Sequence, residues 1–158
     1  MKINPYLLSL AIVLSLSLLF PGTLPADAGG GSRTPADDPA FTQAEMAIGE
    51  KDWDKAIELL NTTLAHNMDN ADAHNLLGYA ERQRGNLDAA FKHYERALAL
   101  DPDHRGAHEY VGEAYLLAGN LAKAEVHLAR LDKLCFFSCE EYRDLKKAIA
   151  KYKQSRGK

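Results

Sequence analysis

Leu76-Leu77-Gly78-Tyr79-Ala80-Glu81-Arg82-Gln83-Arg84-Gly85-Asn86-Leu87-Asp88-Ala89-Ala90 decides the fold, because it returns 34 residues later. The second version is Tyr110-Val111-Gly112-Glu113-Ala114-Tyr115-Leu116-Leu117-Ala118-Gly119-Asn120-Leu121-Ala122-Lys123-Ala124. Gly78 falls on Gly112, Gly85-Asn86-Leu87 on Gly119-Asn120-Leu121, and Ala90 on Ala124. A fixed period of this length is the mark of a repeat architecture. Lys51-Asp52-Trp53 is a degenerate earlier version of the Gly-Asn-Leu step, so the period extends backwards to a first copy.

With Asp37, Ala71 and Arg105 as first positions, three copies cover residues 37–70, 71–104 and 105–138. The eighth positions are Ala44, Gly78 and Gly112, and the twentieth are Ala56, Ala90 and Ala124. Small residues there let two helices of a pair approach closely. The twenty-fourth residues, Leu60, Tyr94 and Leu128, fill the space beside that contact. Gly85 and Gly119 can take the left-handed conformation that ends a helix. Asn86, Asn120 and Asp52 can accept a backbone hydrogen bond and start the next one. Pro102 suits the turn between copies, since it cannot continue a helix.

This period and its pattern of small and large positions resemble the tetratricopeptide repeat. The middle copy matches at Leu77, Gly78, Ala90, Tyr94, Ala97 and Pro102. The third departs at Leu131 and Phe136, where Ala and Pro are usual, and the first at Gln43, Thr63 and Met68. Terminal repeats are often atypical, because one side of each lacks a neighbour. The expected fold is all-α: an α-solenoid of three helix pairs and a C-terminal capping helix over residues 139–155. In that last segment Tyr142, Leu145, Ile149 and Tyr152 form one apolar stripe at helical spacing. Ser138 and Glu141 have the spacing of a capping box. Position eight of this segment is Lys146, which suits a helix with no partner packed over it.

Before the repeats, an apolar run from Tyr6 to Phe20 follows Met1 and Lys2, is broken at Pro21-Gly22, and leads to Ala26-Asp27-Ala28. Residues 1–28 read as a secretory signal cleaved after Ala28. The run is short for a membrane span, which needs roughly 20 apolar residues. An uncleaved anchor is the alternative, and is the one route by which this chain would meet a membrane. Gly29-Gly30-Gly31-Ser32-Arg33-Thr34-Pro35-Ala36 is a flexible linker. The expected location is the exported space, the periplasm of a bacterium.

Nineteen Lys and Arg against 22 Asp and Glu give a formal charge of −3. That balance offers no electrostatic case for nucleic acid or an anionic membrane. Two cysteines, Cys135 and Cys139, in an exported chain point to a disulfide joining the last repeat helix to the cap. A redox-active dithiol is the competing functional reading, and a pair of reduced thiols the plain one. Six histidines raise the question of a metal. His74 and His108 share position four and His93 and His127 share position twenty-three, and equivalent positions of stacked helices lie about 10 Å apart. Ligands of one zinc ion must each come within about 2 Å of it, so no metal site is expected. No catalytic motif, phosphate-cradling loop or cofactor fingerprint is recognisable, so neither catalysis nor a cofactor is expected.

The resemblance implies a concave groove lined by positions two, five, nine and twelve of each copy. In the first copy these are Asp38, Phe41, Glu45 and Ile48; in the second Asp72, Asn75, Tyr79 and Arg82; in the third Gly106, Glu109, Glu113 and Leu116. The cap adds Arg143 and Lys147. Tyr79 is the expected anchor, because aromatic residues contribute disproportionately at interfaces. The positions of a carboxylate-gripping clamp correspond to Phe41, Glu45, Leu76, Gly106 and Tyr110, none of them basic. The function this implies is a non-enzymatic adaptor that binds a protein or peptide segment. The other readings are a thiol-redox accessory factor using Cys135 and Cys139, and a structural subunit of an envelope complex.

Overall fold

The computed structural model describes residues 38–156; the signal and linker expected over residues 1–36 lie outside the described residues. Among the described residues seven helices follow one another: α1 (Pro39–Gly49), α2 (Trp53–His66), α3 (Ala71–Gln83), α4 (Leu87–Leu100), α5 (Arg105–Leu117), α6 (Leu121–Leu134) and α7 (Glu140–Arg156). No strand occurs among the described residues. The molecule is an all-α solenoid in which each 34-residue block holds one helix pair.

Local chemistry sets every boundary. Asp52, Asn86 and Asn120 accept from the backbone N–H three residues ahead and start the second helix of each pair. Asn70 caps α3 in the same way, His104 caps α5 through Nδ1, and Asp38 caps α1 by accepting from the Ala40 N–H two residues ahead. Gly85 and Gly119 end α3 and α5 at φ +83° and +78°. Lys51 stands at the corresponding place in the first copy with φ +61°, a conformation that disfavours any side chain with a Cβ. The first copy thus keeps the turn without the residue best suited to it.

The start of α7 differs from the expected capping box. Ser138 lies at φ +51°, and the helix begins at Glu140, with the Cys139 carbonyl accepting from the Arg143 N–H at 3.2 Å. Glu141 lies 3.6 Å from Arg105 instead of turning back on Ser138. The sulfurs of Cys135 and Cys139 are bonded, with their Cα atoms 5.4 Å apart. That closed loop dictates how the chain enters α7, so the serine is displaced from the cap position.

Small local cores run along the stack. Phe41, Ala44, Leu60, Ala73 and Leu77 form one; Ala90, Tyr94, Val111 and Ala114 another; Leu116, Ala124, Leu131, Leu145 and Ile149 close the end. Gly78 faces its paired helix: a Cβ there would lie 2.7 Å from the Tyr94 ring and 3.1 Å from the Ala90 carbonyl. Gly112 faces forward instead, and a Cβ there would lie 2.6 Å from Leu145. The cap therefore occupies the space that this glycine leaves. Lys146 is exposed. The odd-numbered helices α3, α5 and α7 pack directly on one another, whereas the even-numbered ones are not in substantial contact. This asymmetry makes the odd helices the short, inner side of the stack.

The histidines pair within each copy rather than between copies. His74 Nδ1 lies 3.2 Å from His93 Nδ1, and His108 Nδ1 lies 2.9 Å from His127 Nδ1, each pair within one copy. Position four meets position twenty-three, a relation that comparing like with like misses. His74 and His108 also direct Nε2 at the carbonyls of Met68 and Pro102 in the turns before their helices. Arg96 and Arg130 hold Asp69 and Asp103 of the same turns. The histidines are ties that fix the turns between copies. Among the described residues no three His, Cys, Asp or Glu side chains converge on a metal-sized site.

Candidate protein-interaction site

The inner face is built around one arginine. Arg82 on α3 is 8 % exposed, and its Nη1 lies 2.5 Å from Glu113 Oε2 on α5. Its guanidinium sits 5.2 Å from the centre of the Tyr79 ring and 5.5 Å from that of Tyr110. The two rings are 4.9 Å apart, and Trp53 meets Tyr79 edge-on at 5.9 Å. Aromatic faces and a half-buried carboxylate hold the same cation from different sides. The arginine is thus committed within the protein, and what remains open is a shelf of aromatic surface running across all three copies.

Toward α7 the face turns acidic. A cavity of about 340 Å³ is lined by Asn75, Gly106, Glu109, Tyr110, Glu140, Glu141 and Asp144. Burial pushes the Glu109 carboxyl up to about 8, and Glu113, Asp144 and Glu141 add to the effect. Burial also pushes the Tyr110 hydroxyl up to about 12, with Glu109 adding to it. A second hollow beside it, about 240 Å³, includes Asp72, Asp101, Asp103, His104 and Arg105. There His104 Nε2 lies 3.2 Å from Asp72 Oδ1 and holds that carboxyl below its usual range.

The groove residues implied by the repeat register fall into distinct groups. Tyr79, Arg82, Glu109, Glu113 and Asn75 are brought together on α3 and α5. Glu45 is exposed on α1, and Asp38 is the α1 cap. Phe41 is 6 % exposed and belongs to the first core, as Leu116 belongs to the last. Arg143 and Lys147 are exposed on α7, and neither lines either cavity. The reason is the rotation of the cap. Leu145 and Ile149 are buried against α5 and α6, which turns Glu140, Glu141 and Asp144 toward the inner side. Trp53 and Tyr110 fall outside positions two, five, nine and twelve of their copies, and in the cap the groove reading covers only positions five and nine, Arg143 and Lys147. Positions two and six of the cap, Glu140 and Asp144, carried the missing signal.

A stack of helical pairs with a small-residue crossing and an open inner face defines a class of repeat scaffold. Two models described as tetratricopeptide repeat match residues 41–105 and 81–149, so together they cover most of the stack. The chain belongs to the tetratricopeptide repeat family. Among solved structures it is similar to the tetratricopeptide domain of Sgt2 from Aspergillus fumigatus, at 19 % identity and TM-score 0.68, covering 78 % of this chain and 81 % of that one. It is also similar to the Yersinia enterocolitica type III secretion chaperone SycD in complex with a peptide of the translocator YopD. That match has 16 % identity and TM-score 0.64, over 78 % and 93 % of the two chains. The TPR2B domain of yeast Sti1 in its pHsp70 complex matches at 16 % identity and TM-score 0.67, over 74 % and 95 %. Among curated proteins no relative matches the sequence.

Proposed function

We propose that this chain is a non-enzymatic adaptor that holds a segment of a partner protein on its inner face. The observation that carries the reading is the Trp53–Tyr79–Tyr110 shelf around the committed Arg82–Glu113 pair. Aromatic side chains held rigid before binding lose little entropy when a ligand arrives. Two of the similar folds, SycD and Sti1, were solved with a YopD peptide and in a pHsp70 complex, which supports the same reading here. The exported, periplasmic location read from residues 1–28 is part of the proposal. So is the cleaved signal, and no described helix is long and apolar enough to cross a membrane.

A photo-crosslinking amino acid placed at position 79, compared with one at exposed Val126 on α6, tests the reading in envelope extract. Partner adducts are expected at position 79. Adducts confined to position 126 would place binding on the outer side and sink it.

One observation favours the structural-subunit reading in addition. Phe136 and Phe137, inside the disulfide loop, are 91 % and 88 % exposed. A contact made through that end would be lost in a Phe136→Ser, Phe137→Ser double variant while inner-face crosslinks persist. The thiol-redox reading predicts turnover of the Cys135–Cys139 bond, which titration of free thiols during cycles of reduction would register.

A further inference from the structure

We infer that the two junctions between successive copies are acid-released joints, each held shut by a pair of uncharged histidines and opening as that pair takes up protons. The parts recur in register. At the first junction His74 of α3 faces His93 of α4, Nδ1 to Nδ1 at 3.2 Å, and its Nε2 lies 3.1 Å from the Met68 carbonyl in the turn before α3. At the second, His108 of α5 faces His127 of α6 at 2.9 Å, and its Nε2 lies 3.0 Å from the Pro102 carbonyl. Arg96 of α4 and Arg130 of α6 hold Asp69 and Asp103 of the same two turns. The first copy has no repeat before it to be joined to, and it carries Ala40, Leu59 and Thr62 at the positions of these histidines and arginines. After the third copy Tyr142 stands at position four, and the Cys135–Cys139 bond closes the turn instead. The set thus goes with the junctions and not with the helix pair as such.

Each tie needs its protons in fixed places. A carbonyl oxygen only accepts, so His74 and His108 carry their hydrogen on Nε2 and present a bare Nδ1. His93 and His127 must then donate from Nδ1. Two protons added to one pair set N–H against N–H, and the tie is lost. Burial is the first cause that holds all four below the ordinary value of 6.5, and it brings His127 to about 4. On His74 the Met68 carbonyl and Asp69 oppose burial and Arg96 reinforces it. On His93 its partner His74 and Lys92 reinforce it and Glu81 of α3 opposes it. At the second junction Arg130 and His104 reinforce it on His108, against the Pro102 carbonyl and Asp103, while His108 and Lys123 reinforce it on His127.

An opened joint returns these imidazoles to water, where they bind protons at their ordinary value. The closed joint is therefore favoured above about pH 6.5 and loses that advantage as pH falls toward the depressed values. The opening constant rises by up to about tenfold per unit of pH for each histidine. What opens is a turn that seats an inner helix: Asn70 caps α3 and His104 caps α5.

The test follows amide exchange of the full chain, corrected for the chemical exchange rate, between pH 7.5 and pH 5, where ordinary carboxylates stay ionised. The first junction reads more cleanly, because His104 and Glu109 titrate beside the second. The Ala73 and His74 amides, which close the start of α3, should exchange at least about tenfold faster at pH 5, with the middle of α2 unchanged. Nitrogen-15 shifts of the imidazoles at pH 7.5 should place hydrogen on Nε2 of His74 and His108 and on Nδ1 of His93 and His127. His74→Ala with His93→Leu, the residues the first copy carries, should abolish the acid response at the first junction and leave it at the second. Exchange at Ala73 and His74 that does not respond to pH, equal acceleration in α2 and α3, or the opposite tautomers would each overturn the joint. So would an acid response that survives in the double variant, since it would then belong to His66 or another group. If the double variant does not fold, the wild-type exchange profile and the tautomers still decide.

Discussion

Gly112 and Lys146 occupy the same position of successive copies, yet they stand in opposite surroundings. A Cβ at Gly112 would press into Leu145, and one at Gly78 into Tyr94, whereas Lys146 is open to solvent. Gly78→Leu and Gly112→Leu should therefore each lower stability by about 1–3 kcal/mol or more through overpacking. Lys146→Leu should stay within about 0.5 kcal/mol. Urea midpoints of the three variants check this, and equal losses at 78 and 146 would contradict the repeat register. Two other residues set opposite slopes of stability against pH. His127 faces His108 on α5 and Lys123 on its own helix; burial first, then these two, lower its pKa from 6.5 to about 4. The unfolded chain then binds more protons, so stability is present at neutral pH and falls as pH drops from about 6.5 toward 4. Glu109 faces Glu113 on α5, Glu141 and Asp144 on α7 and Arg82 on α3, with its pKa raised from 4.5 to about 8. There the folded state binds more protons, so its contribution is lost as pH rises through that window. Glu109→Gln should raise the melting temperature at pH 8 relative to wild type and leave it unchanged at pH 4. His127→Asn, which keeps an N–H donor toward His108, should flatten the acid decline. Parallel curves for wild type and either variant would show that the group does not titrate as its surroundings require.

At the scale of the helix, most of the architecture was legible because each boundary has a local cause. Asn86 and Asn120 announce helix starts, and Gly85 and Gly119 announce ends, with no knowledge of the rest of the chain. The groove was less legible, because a register fixes which residues share a face without fixing how far each helix rotates against its neighbours. Phe41 and Leu116 were thereby drawn into cores, and Arg143 and Lys147 fell beside the inner face while Glu140 and Asp144 turned toward it. The histidine ties were hidden for a related reason: their partners are 19 residues apart, on facing helices. The entry into α7 was misread as a serine cap, since the constraint there is the closed loop of Cys135 and Cys139. Closing so short a loop restricts the unfolded chain modestly, by about 2 kcal/mol in the entropy model. Its larger effect is local, on the angle at which the cap enters. Reduction should accelerate hydrogen exchange over roughly residues 125–152, by opening that junction rather than the whole fold. Exchange compared between oxidised and reduced protein measures it. Unchanged rates there, with the bond shown to have been present beforehand, would leave the disulfide without a role in seating the cap.

Over the whole molecule, stability is passed from neighbour to neighbour, since each core is shared only by adjacent helices. The first core has no contact with the last, so damage at one end should spread no further than the next interface. The C-terminal end depends on α7. Leu145 is fully buried and Ile149 is 4 % exposed, both in the core with Leu116, Ala124 and Leu131. Burying each such side chain contributes roughly 1.5–3 kcal/mol. Removing residues 139–158 withdraws them, empties the space beside Gly112, and leaves Leu116 and Leu131 facing water. The third pair should then fray while α1 to α4 keep their packing, and the bared apolar end should drive self-association. Urea unfolding should show a smaller m-value, because less surface remains to be exposed. Light scattering should show mass rising with concentration, and hydrogen exchange should stay slow in α3 while becoming fast in α5 and α6. A truncated chain that stays monomeric, with the wild-type m-value and slow exchange in α6, would mean that the third pair holds itself and that α7 serves the inner face alone.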